Sequence, residues 1–65
     1  MTGYIFTYAD ETEREQSRRL AEARQQIAHE GACPAWDELT DDERNISMVE
    51  ARNYLRAAKR CGLMT

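Results

Sequence analysis

Apolar residues recur at helical spacing in two stretches of the chain, with a short aromatic run ahead of them. Between Asp10 and Glu30, Gln16, Leu20, Ala23 and Ile27 share one face of a helical wheel, while Arg14, Arg18, Arg19, Glu22, Arg24, Gln25 and Gln26 fill the rest. That spacing predicts a helix over 10–30 held by a single narrow seam. Between Asp41 and Arg60, Met48, Ala51, Leu55 and Ala58 form a second face flanked by Tyr54. It predicts a helix over 41–60 and is the natural partner of Leu20, Ala23 and Ile27 in an antiparallel hairpin. Ile46, Val49 and Asn53 lie on roughly the opposite side of this helix, so either the rest of the chain or a second copy must cover them.

Polar residues mark where these segments begin and end. Asp10, with Glu13 three residues on and acids through the first turn, starts the first helix, and Gly31 is placed to close it in a left-handed conformation. Thr40-Asp41-Asp42-Glu43 is a full capping box for the second, whose last turn carries Lys59 and Arg60 and is followed by Gly62. Between the helices Pro34 suits the first position of a turn, so 34–39 reads as one short helical turn. Trp36 and Leu39 then point the same way and plug the open end between the helices.

The opening Tyr4-Ile5-Phe6-Thr7-Tyr8 consists of β-formers, with Tyr4, Phe6 and Tyr8 on one side, and reads as an extended arm over 1–9. No second strand candidate occurs in the sequence. The arm therefore lies across the helices and lends them its aromatics, pairs with its own copy in a dimer, or adds as a strand to a partner's sheet edge. The expected architecture is all-α: an antiparallel two-helix hairpin, a short turn around Trp36 and an extended N-terminal arm, in one small domain.

Composition narrows the function. Of 65 residues, the apolar ones larger than Ala and Cys number sixteen, a thin supply for one core and a reason to expect a homodimer or an obligate partner. The formal net charge of −3 provides no overall positive field toward nucleic acid or an anionic membrane. No apolar run is long enough to span a membrane and no signal peptide is evident, which makes the cytoplasm the expected location. There Cys33 and Cys61 are expected as reduced, small hydrophobes.

Chemistry finds little support. His29 is a lone histidine near a helix C-terminus, and with Cys33 and Cys61 it lacks any zinc-ligand spacing. No phosphate loop is present, so neither catalysis nor a cofactor is expected. Arg44, Arg52, Arg56, Lys59 and Arg60 suggest a helix-turn-helix-like DNA reader as an alternative. A recognition helix, however, reads bases with its N-terminal residues, and here Asp41, Asp42 and Glu43 would oppose phosphates. The more promising surface is an acidic corner: Asp37, Glu38, Asp41 and Asp42 around Trp36, with the arm residues Tyr4, Phe6 and Tyr8 as a second contact and Ile46, Val49 and Asn53 as a dimer interface.

The stretch Pro34-Ala35-Trp36-Asp37-Glu38-Leu39-Thr40-Asp41-Asp42-Glu43-Arg44, followed by Glu50-Ala51-Arg52-Asn53-Tyr54-Leu55, resembles a pattern common in very short phage and prophage proteins: a Trp-x-x-Leu turn before an acid-capped helix. The likeness covers about half the chain and rests on structural residues. It implies a host-takeover factor that binds and inhibits a bacterial host protein, and it carries over no active site.

Overall fold

The computed structural model describes residues 7–63. The chain is all-helical: α1 (Glu11–Glu30), a short 3-10 turn (Trp36–Glu38) and α2 (Asp41–Arg60), with α1 and α2 packed against each other as a hairpin and no strand among the described residues. Tyr4 and Phe6 lie outside the described residues, and so does the greater part of the expected arm.

Local chemistry explains each boundary. The Asp10 carboxylate accepts the Glu13 amide at 2.8 Å, so Asp10 is the cap and α1 begins one residue later. Glu13 reaches back to the Ala9 amide at 2.7 Å. At α2 the capping box is reciprocal: the Thr40 hydroxyl accepts from the Glu43 amide at 3.1 Å, and the Thr40 amide donates to the Glu43 carboxylate at 2.8 Å.

Both helices end in the same hydrogen-bonded loop. In α1 the Cys33 amide donates to the Ala28 carbonyl and the Ala32 amide to that of His29. In α2 the Leu63 amide donates to Ala58 and the Gly62 amide to Lys59. This pairing requires a left-handed residue just past the cap. Gly62, with φ of +85°, fills that place in α2 as expected, but in α1 it falls to Ala32, with φ of +81°. Gly31 is the cap itself, at an ordinary φ of −96°. The amide bonds decide the register of the loop, and the glycine sits one position too early to use its freedom.

The core is made of small side chains. Ser17, Ala21 and Ala51 are fully buried, and Met48 joins them with Tyr8, Leu20 and Trp36 packed half-buried around the edge. On α1 the buried line is thus Ser17 and Ala21 with half-buried Ala28, one residue later than the predicted Gln16, Leu20, Ala23 and Ile27. Gln16 and Ala23 are exposed, and Ile27 is 71% exposed. One residue is about 100° around a helix. The physical reason is that Ser17 and Ala21 let the backbones approach closely, and the Ser17 hydroxyl spends its hydrogen bond on the Glu13 carbonyl at 2.7 Å. On α2 the predicted Met48 and Ala51 are buried, with Leu55 and Ala58 half-buried.

Candidate protein-binding surface

Three arginines of α2 fasten the rest of the chain to it. Arg44 donates to the Trp36 carbonyl at 3.1 Å, to the Asp37 carbonyl at 3.2 Å and to the Asp41 carboxylate at 3.0 Å. Arg52, buried, donates to the Thr7 carbonyl at 2.7 Å and to the Asn53 side chain, with its guanidinium 5.9 Å from the Tyr8 ring centre. Arg56 makes a bidentate pair with Glu13 of α1, both bonds 2.8 Å. The hydrogen bonds from Arg56, and after them the Ala9 amide, push the Glu13 carboxyl down to about 2. The partners of all three lie outside α2's own turns or at its start, so the residue pattern of α2 alone does not announce them.

The turn that carries the acidic corner is tied to both helices. Besides Arg44, the Gln25 side-chain amide donates to the Pro34 carbonyl and the Ala35 amide to the Glu38 carboxylate at 2.7 Å. His29 Nδ1 lies 2.8 Å from the Cys33 carbonyl; a carbonyl only accepts, so that nitrogen carries the proton. Trp36 is half-buried and packs on Ala21, Met48 and Ala51, which matches its expected place as a plug. Around it Asp37, Glu38, Asp41 and Asp42 are all exposed. Glu38 is occupied by the cap and Asp41 by Arg44, although the Asp41 side chain keeps 94% of its exposure. Among the described residues Asp37 and Asp42 take no side-chain partner. No family model, curated protein or solved structure matches the chain.

The other predicted contact residues are scattered. Tyr8 is half-buried against the same core cluster as Trp36, with the Arg52 guanidinium beside its ring. Of the residues assigned to a dimer interface, Val49 is only 5% exposed within the single chain, Ile46 is half-buried, and exposed Asn53 accepts from Arg52 at 3.0 Å. Val49 therefore offers little surface to a second chain. For nucleic acid, Arg44, Arg52 and Arg56 are committed to intramolecular partners, which leaves Lys59 and Arg60 of the five cations weighed. Among the described residues no group of three or more His, Cys, Asp or Glu is placed to hold a metal, and no helix is long and apolar enough to cross a membrane.

A second surface went unrecognised in the sequence. Leu20 of α1 and Tyr54, Leu55, Ala58, Cys61 and Leu63 at the far end of α2 line an open apolar groove of about 430 Å³. Tyr54 is 58% exposed and Leu63 82%. The available signal was Leu63 itself, which the closing loop of α2 turns back toward Ala58.

Proposed function

We propose that this chain is a small protein-binding module that offers the acidic corner beside Trp36 to a basic site on another protein, with a bacterial host protein as target and a phage or mobile element as source. The observation that carries the reading is the Arg44 lock. Its three hydrogen bonds hold the Trp36 turn against α2, so the carboxylates of Asp37, Glu38, Asp41 and Asp42 stand on a fixed backbone. Like charges held in place lose little conformational entropy on binding, and they steer a basic partner at long range. Inhibition needs nothing further, because a seated module blocks whatever the basic site would otherwise bind. The cytoplasm of the host is the compartment where such a target is met.

The test is capture from bacterial lysate with the wild type and with Asp37→Lys/Asp42→Lys. Both side chains are exposed and unpaired, and the Asp42 reversal gives up only a favourable charge at the start of α2, about 0.5–1 kcal/mol, so the double variant should keep the fold. The expected result is a protein retained by the wild type, released as salt rises and missed by the variant. Capture unchanged by the reversal contradicts the corner. A shift of random duplex DNA at low salt that fades steeply with added salt would favour the helix-turn-helix-like alternative instead.

A further inference from the structure

We infer that the groove between α1 and the C-terminal half of α2 is the face on which a second copy of this chain docks, two hairpins closing into a four-helix bundle. The surface is separate from the acidic corner, which lies at the opposite end of α2, so either proposal can fail alone.

A two-helix layer has two broad sides, and here they differ in finish. One is closed over by the Thr7–Tyr8 segment, fastened through Arg52. The other leaves Leu20, Tyr54 and Leu63 around an open cleft, and Ile27, two turns along α1 from Leu20 on the same flank, is 71% exposed. Ala57 and Ala58 keep this side low enough for another helix to approach at the usual distance of roughly 8–10 Å. Among the described residues the buried apolar ones are Ala21, Met48, Val49 and Ala51, and both cysteines are unpaired. A core of that size is where self-association contributes most.

Charge selects the occupant. A groove for a strongly acidic or basic peptide carries one sign at its rim. At its Tyr54 and Ala57 edge this one meets a neighbouring cleft that carries both: Arg24 and Glu50 face each other across the helices at a loose 3.7 Å, each partly exposed, with the guanidinium 4.6 Å above the Tyr54 ring. A two-fold contact pairs residue i with j and j with i, so one unlike pair is answered twice by a second copy. A partner of single charge would leave one member opposed by its own sign.

Cys61 lies in the groove and Cys33 beside the Trp36 turn, both exposed in the single chain. The test follows thiol alkylation and sedimentation together between about 10 µM and about 1 mM protein. Expected are a mass that rises to that of two copies, Cys61 alkylation slowed about tenfold at the upper concentration, and Cys33 alkylation unchanged. Tyr54→Glu, at an exposed position, should keep the helical circular dichroism while remaining a single chain with a reactive Cys61. A single-chain mass at the upper concentration overturns the proposal, as does a Cys61 that stays as reactive as Cys33, growth beyond two copies, or association that Tyr54→Glu leaves intact.

Discussion

The two ends of α2 are finished by different means. At its start, the Trp36 turn is held in place by hydrogen bonds from Arg44, Gln25 and the Thr40 capping box, and its acids Asp37 and Glu38 are exposed. At its end the apolar residues are present, yet Tyr54 and Leu63 lie open to solvent. Directional hydrogen bonds can complete a short loop inside one chain, whereas apolar surface is completed only by more surface. The contrast separates a corner tied by hydrogen bonds from a groove whose Tyr54 and Leu63 stay exposed.

Identical substitutions on the two sides of α2 give the largest expected difference. Ala51 is fully buried against α1, so Ala51→Leu should overpack the crossing and cost about 1–3 kcal/mol. Ala57 is exposed on the groove side, so Ala57→Leu should leave the single chain's stability within about 0.5 kcal/mol. Chemical denaturation of both variants checks the pair, and equal losses would mean that the two sides do not differ as described.

Removal of the lock comes next. Arg44→Ala gives up two hydrogen bonds to backbone carbonyls and one to Asp41, and a loss of about 1.5–2 kcal/mol is expected, or roughly 6–15 °C in Tm for a chain of this size. Amide exchange should rise over residues 35–39 well before it rises at the groove. Faster exchange at both ends together would sink the idea of separate construction.

A smaller effect of opposite sign is expected between the helix ends. Ala32 holds a left-handed backbone that Gly62 holds without strain, so Ala32→Gly should stabilise by about 0.5–1 kcal/mol. Gly62→Ala should destabilise by a similar amount. Thermal melts of the two variants moving in the same direction would contradict the assignment of the left-handed positions.

The mildest expectation is a pH dependence. Glu13 titrates near 4.5 when unfolded and is lowered to about 2 in the fold by Arg56 and the Ala9 amide. A depressed carboxyl contributes stability that is fully present above about pH 4.5 and is lost as pH falls through about 2. Glu13→Gln should therefore flatten the decline of the denaturation midpoint across that window. Arg56 is well exposed, so the loss at neutral pH should be small.

The same contrast explains what was legible in the sequence. Helix limits and the α2 capping box depend on residues within one turn of each other, and they were read to within a residue. The apolar pattern centres the α1 seam on Leu20 and Ile27, whereas the buried line runs one residue later through Ser17 and Ala21, which have the least to bury. Composition points to Gly31 as the left-handed residue, whereas the amide bonds place that role on Ala32. Arg52 and Arg56 reach Thr7 and Glu13, more than forty residues away, and nothing in their own helix announces such partners. Of the candidate site, the Trp36 plug and its exposed acids were legible, while Arg44's grip on the turn and the whole groove were not.

A concentration series of amide spectra from about 10 µM to about 1 mM sets the two ends of α2 against each other most directly. The amides of Leu20, Tyr54, Ala58 and Cys61 are expected to move with concentration and to gain exchange protection, while those of Trp36 through Arg44 stay in place. Spectra that do not change at the groove, or that change equally at the acidic corner, would contradict a finished turn at one end of α2 and an unfinished face at the other.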